Sequence, residues 1–155
     1  MVGQTRELLR SCYEIGSMDR DKPGRSTTTK GEGRPRVLLA DDDEDIRSVF
    51  EMVLSDHFEV SAASTGAEAV ALAETWRPDV VLLDWTLPDR SGADVVHSLR
   101  TIGPDFATLP IVVVSGAAAV KEIAARVGAI PCPKPCDVDQ LLAAIERALA
   151  PTRRV

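Results

Sequence analysis

Asp41, Asp42 and Asp43 stand directly after the apolar run Val37-Leu38-Leu39-Ala40, and Asp84 stands directly after Asp79-Val80-Val81-Leu82-Leu83. Two more polar residues follow apolar runs in the same way. Ser115 comes after Pro110-Ile111-Val112-Val113-Val114, and Lys134 after Ala129-Ile130-Pro131-Cys132-Pro133. Short apolar runs of this kind read as strands buried on both faces. If the first and third are neighbours in a sheet, three or four carboxylates converge. Carboxylates that close repel one another, and some must hold protons unless a cation neutralises them. Mg²⁺ suits the position: it takes oxygen ligands, uses few protein carboxylates and leaves places for water and phosphate oxygens. Lys134 adds a positive charge fit for a phosphoryl oxygen, and Ser115 a hydroxyl donor. The set reads as a carboxylate nucleophile with metal, cation and hydroxyl placed to stabilise a transferring phosphoryl group.

Each group alone has a plainer reading. Acids from Asp41 to Asp45 suit the start of a helix, where its dipole favours negative charge, and Asp43 and Glu44 are expected to do only that. Asp84 could end a strand, Ser115-Gly116 could be a loop, and Lys134 a solvated charge. What favours a shared site is that four of the five strand ends carry complementary groups.

The elements that must position them alternate. Ile46, Val49, Phe50, Val53 and Leu54 form one helical face. Phe58–Ala62 reads as a weaker strand, and Thr65 with Glu68 as a capping box opening a helix through Trp76, which Pro78 stops. Ser91 and Asp94 cap a helix with Val95, Val96 and Leu99; an Ala-rich helix is expected over roughly residues 117–126. Asp137 and Gln140 form a second capping box before Val138, Leu141, Leu142, Ile145 and Leu149. Five strand–helix units predict an α/β fold, a doubly wound parallel sheet with helices on both faces. Ligands of such sheets sit beyond the C-terminal strand ends.

Composition sets the limits. The chain has 155 residues, 45% of them apolar and 27% charged, which is ordinary for a globular protein. No apolar run is long enough to span a membrane, and Arg6, Glu7 and Arg10 argue against a secretory signal. Three cysteines without framework spacing suit a reducing cytoplasm. Residues 1–35 carry a net charge of +2 and residues 36–150 a net charge of −10. An acidic domain disfavours nucleic acid as a partner, because phosphate contacts need clustered Lys and Arg. The Gly-, Pro-, Ser- and Thr-rich stretch 17–35 reads as a disordered linker, so 1–35 is expected to be a disordered leader, 36–150 the domain and 151–155 a tail.

The stretches Val37–Asp43, Val81–Gly92 (Val-Leu-Leu-Asp-Trp-Thr-Leu-Pro-Asp-Arg-Ser-Gly), Val114-Ser115-Gly116 and Lys134-Pro135 resemble the receiver domain of two-component response regulators. The resemblance covers about residues 36–150 and implies a flavodoxin-like strand order 2-1-3-4-5. It implies that Asp84 is the phosphoacceptor, and that Asp41 and Asp42 hold Mg²⁺ together with Asp84 and the backbone carbonyl of Thr86. Ser115 corresponds to the hydroxyl that swings to the phosphoryl group, and Lys134 to the lysine that contacts it. The Lys134-Pro135 bond is typically cis in this family. A histidine kinase or His-phosphotransfer protein is the implied partner. The chain would be a phosphoacceptor and not an enzyme, beyond catalysing its own phosphorylation and dephosphorylation.

The sequence departs from the family near the fifth strand. Pro131 stands where receivers place Tyr or Phe, and Cys136 where Phe often follows Lys-Pro. Two prolines in one strand are tolerable only at a sheet edge. Cys132 and Cys136 do not have a usual zinc spacing and read as small apolar groups, a redox role being the less favoured reading. Trp76 fits a helix core face, Trp85 lies beside the site, and His57 and His97 read as surface residues. The chain ends at Val155, so a single-domain regulator is expected, signalling by protein contact or phosphorelay. One rival is a phosphorylation-independent adaptor on the same fold, favoured by Pro131 and Cys136. Another is a phosphatase-type enzyme, opposed by Thr86 where a second Asp is commonly needed; the absence of a P-loop opposes an ATPase.

Overall fold

The computed structural model describes residues 33–150. The expectations for residues 1–32 and 151–155 lie outside the described residues. Five strands form one parallel sheet: β1 Arg36–Ala40, β2 Glu59–Ala63, β3 Val80–Asp84, β4 Ile111–Ser115 and β5 Ile130–Pro133. Their order is β2-β1-β3-β4-β5, as the resemblance implies. Between and after them run α1 Glu44–Leu54, α2 Gly66–Trp76, α3 Gly92–Arg100, α4 Val120–Val127 and α5 Val138–Leu149, with a short 3₁₀ turn at Pro104–Phe106.

Strand residues alternate between two cores, as a period of two requires. Leu39, Leu82 and Val112 face α1 and α5, where they meet Phe50, Val53, Leu141 and Ile145. Leu38, Leu83 and Val113 face the other way, toward Ala69 of α2, Leu99 of α3 and Ala124 of α4. Both faces of the central strands are buried, so β3 and β4 read as unbroken apolar runs.

The caps follow the sequence in most places. Asp43 caps α1 by accepting from the N–H groups of Asp45 and Ile46, and Asp137 with Gln140 makes a full capping box on α5. At α2 only half of the box forms. Thr65 accepts from the Glu68 N–H, but the Glu68 carboxylate turns to the N–H and hydroxyl of Ser64. The helix expected from residue 117 starts at Val120. Residues 116–119 make an exposed turn, and Ala119 at the cap has no side-chain oxygen to satisfy the first N–H groups. Gly128 ends that helix in the left-handed region, φ 66°.

The edge position explains β5. The Lys134 N–H donates to the Ser115 carbonyl at 2.8 Å, so alternate residues of the strand turn their amides toward β4. Pro131 and Pro133 fall on the other parity, where the missing N–H would have faced the open edge.

Candidate functional site

Strand register brings the four polar ends together. Ala40 pairs with Leu83, Asp84 with Val114, and Ser115 with Pro133. Asp41 and Lys134 continue one residue beyond their strands, on the same end of the sheet. Asp41, Asp84 and Ser115 are the buried polar residues of the described chain. Carboxylate oxygens of Asp41, Asp42 and Asp84 lie within 4.8 Å of one another. Lys134 Nζ lies 3.5 Å from Oδ2 of Asp84. All four sequence-derived side chains, with Ser115 beside them, therefore meet at one place.

Asp41, Asp84 and Ser115 are held by backbone. Oδ1 of Asp41 accepts from the Asp43 N–H at 2.9 Å, and Oδ1 of Asp84 accepts from the Thr86 N–H at 3.2 Å. Ser115 Oγ accepts from the Ala117 N–H at 3.1 Å, which leaves its O–H free to rotate as a donor. Thr86 is exposed and bridges to Ser91, folding the loop after β3 back on itself. The Lys134-Pro135 bond is cis.

Burial and the neighbouring Asp84 charge push the Asp41 carboxyl up to about 6, against the hydrogen bond from Asp43 and the pull of Lys134. Three carboxylates with converging oxygens, one of them exposed at the mouth, fit a hard divalent ion such as Mg²⁺.

Two positioning residues were not legible in the sequence. Asp89 accepts from the N–H groups of Gly66 and Ala67, at 2.8 and 2.9 Å, and so ties the loop after β3 to the first turn of α2. Both amides hold its carboxyl below the usual carboxylate range. Arg47 of α1 donates to the Asp41 carbonyl at 3.0 Å. The loop after β3 is also pinned by Trp85 and Gly92: a Cβ on the buried Gly92 would overlap the Trp85 ring. Trp85 and Trp76 are both half-buried against the second core, whereas His57 and His97 are exposed. Cys132 and Cys136 are buried in the first core.

Comparison with known proteins agrees with this geometry. Residues 37–146 match the response regulator receiver domain. The chain is 37% identical over 95 residues to the probable transcriptional regulatory protein TcrX of Mycobacterium tuberculosis, covering 60% of this chain and 39% of that protein. It is 36% identical over 121 residues to the response regulator MprA of Mycobacterium sp. (strain KMS), covering 76% of this chain and 51% of that one. The chain thus spans about half, or less, of the length of these relatives. Among solved structures, the chemotaxis response regulator CheY4 of Vibrio cholerae superposes with a TM-score of 0.69 at 29% identity, over 75% of this chain and 99% of that one. The non-phosphorylated HemR receiver domain of Leptospira biflexa gives 0.64 at 30% identity, over 76% of this chain and 95% of that one. With the sheet order, the acidic cluster and the lysine all in place, the chain belongs to the response regulator receiver domain family of two-component signalling.

Proposed function

We propose that Asp84 accepts a phosphoryl group from a phosphohistidine on a histidine kinase or phosphotransfer protein. The observation that carries this reading is the convergence of Asp41, Asp42 and Asp84 oxygens, with Lys134 Nζ 3.5 Å from Oδ2 of Asp84. An Asp84 carboxylate oxygen attacks phosphorus. The P–N bond to the donor imidazole breaks, and its electron pair returns to that nitrogen, which then takes a proton from water. Asp41, Asp42 and the Thr86 carbonyl, with Asp84, would hold Mg²⁺, which neutralises charge on the phosphoryl oxygens when bound. The Lys134 ammonium is placed to transfer its contact from the carboxylate to a phosphoryl oxygen. Ser115 can donate its O–H to another. Burial of Asp41 and Asp84 keeps water from competing for these contacts.

Signalling then passes by protein contact or by relay to another histidine, in the cytoplasm where receiver domains work. Among the described residues no helix is long and apolar enough to cross a membrane. One observation favours a second reading, a phosphorylation-independent adaptor. Pro131, half-buried in β5, stands where the family resemblance calls for an aromatic ring. The two readings separate in an intact-mass measurement after incubation with acetyl phosphate and Mg²⁺. The phosphoacceptor reading expects one added phosphoryl group on the wild type and none on Asp84→Asn; an unmodified wild type leaves the adaptor.

A further inference from the structure

The loop after β3 carries Thr86, and its base is well held. The Thr86 N–H donates to Oδ1 of Asp84 at 3.2 Å, Thr86 bridges to Ser91, and Leu87 is buried in the second core. Its tip, residues 88–90, is exposed and lies against the start of α2. A Cβ on Gly66 would come 2.6 Å from Cγ of Arg90 and 2.8 Å from Cγ2 of Val95, so the missing side chain is what admits the loop this closely. Both carboxylate oxygens of Asp89 are engaged there. Oδ1 accepts from the Gly66 N–H at 2.8 Å and Oδ2 from the Ala67 N–H at 2.9 Å. The first N–H groups of a helix have no partner inside it. Here a residue 23 positions beyond Gly66 satisfies two of them, while the local cap Thr65 takes the Glu68 N–H.

The corner from which α2 starts is itself tied to the acidic cluster. Ala63 ends β2, and its carbonyl accepts from the Asp41 N–H at 3.1 Å. A closed path therefore runs from Asp41 to Ala63, through residues 64–66 to Asp89, along the loop to Thr86 and back to Asp84. The sheet fixes Asp41 relative to Asp84, and the Asp89 bridge fixes the tip of the loop relative to both. Mg²⁺ demands near-ideal octahedral geometry, so a ligand carried on a loop has to be held in place.

We propose that Asp89 is a positioning residue for the phosphoryl-transfer site: by bridging the tip of the loop after β3 to the Gly66 and Ala67 amides, it holds Thr86 where its carbonyl completes the Mg²⁺ ligands Asp41, Asp42 and Asp84. The proposal rests on the reading of Thr86 as a metal ligand. Asp89 acts through the loop, because both of its oxygens are occupied at α2. Removing a group that orients a metal ligand from outside typically costs about 10–100-fold in metal affinity. The lower end applies here, since the base of the loop keeps its other contacts.

The test is calorimetric titration of the full chain with Mg²⁺, without any phosphoryl donor, at a temperature where circular dichroism shows every variant folded. Asp89→Ala should bind Mg²⁺ about tenfold more weakly than the wild type. Asp89→Asn loses the charge but keeps an oxygen that caps helix amides about as well, so it should recover most of the affinity. Thr65→Ala removes the local cap from the same helical turn and leaves the bridge intact, so it should bind as the wild type does. In the metal-free chain, amide exchange at Thr86 should be faster in Asp89→Ala than in the wild type or Thr65→Ala. Unchanged affinity in Asp89→Ala overturns the proposal. So does an equal loss in Thr65→Ala, which would trace the effect to the stability of α2, or an Asn variant no better than Ala, which would trace it to charge. A wild type that binds no Mg²⁺ would sink the metal reading and the metal part of the proposal with it, while exchange at Thr86 in the metal-free chain still decides whether Asp89 positions the loop.

Discussion

Lys134 reaches Asp84 across the end of an intervening strand: its Nζ lies 3.5 Å from Oδ2, although β4 separates β3 from β5. Ser115, the last residue of β4, therefore lies between the two in strand order. The lysine is 30% exposed and the aspartate 6%, so the cation reaches in from solvent to a nearly buried anion. This contact is available to be exchanged for a phosphoryl oxygen, and it organises the expectations below.

Lys134→Ala should slow phosphoryl uptake or weaken its conformational response while leaving metal binding possible, since an ammonium is not a metal ligand. Loss of this partly buried ion pair leaves the Asp84 charge without its cation and should lower stability, by at most about 3–5 kcal/mol because Lys134 is itself part-exposed. Urea unfolding of the variant, alongside timed uptake, checks both parts. Unchanged uptake and response would reduce Lys134 to a surface charge.

Mg²⁺ should raise the melting temperature, because it relieves repulsion among Asp41, Asp42 and Asp84. At ten times its dissociation constant the gain is about 1.4 kcal/mol. Asp42→Ala should remove most of that gain, and in chelator the variant should melt no lower than the wild type, having one fewer crowded carboxylate. Absence of any shift at tens of millimolar would count against a metal site.

Asp89 should stabilise the start of α2 in a pH-dependent way. Its folded-state pKa is depressed by the Gly66 and Ala67 amides, below the ordinary 3.8. The contribution is therefore fully present above that value and is lost as pH falls from 3.8 through the depressed folded value. Asp89→Ala should melt lower than the wild type at neutral pH, and the gap should narrow in acid. Amide exchange at Gly66 and Ala67 should rise in the variant. A gap independent of pH would remove the charge from the explanation.

Much of this was legible in the sequence. Asp41, Asp84, Ser115 and Lys134 each follow an apolar run, and a parallel sheet with its register brings such ends together. The strand order itself came from the family resemblance, since periodicity does not say which strands are neighbours. Strand limits shifted by one residue: Asp79, expected in β3, uses its carboxylate to accept from the Arg36 N–H instead. The Asp89 contact spans more than twenty residues and depends on where the loop after β3 lands, which no local pattern encodes. The late start of α4 follows from a missing cap that alanine-rich composition conceals.

Transmission within the domain should also differ from the family pattern. Pro131 cannot rotate between inward and outward rotamers as an aromatic ring does, but the Ser115 hydroxyl can still donate, a bond worth roughly 1.5–3 kcal/mol to a charged acceptor. Amide exchange with and without beryllofluoride should change most around Ser115–Ala118 and less along Ile130–Cys132 and α5. Comparable changes along both would show that the missing ring is immaterial.

The central claim is that Asp84 is the residue that carries the phosphoryl group. Borohydride converts an aspartyl phosphate to homoserine, which marks its position permanently. After reaction with acetyl phosphate and Mg²⁺, reduction and digestion, the account predicts homoserine at position 84 and at no other aspartate. Homoserine at Asp41 or Asp42, or none in a chain that gains phosphoryl mass, would contradict it.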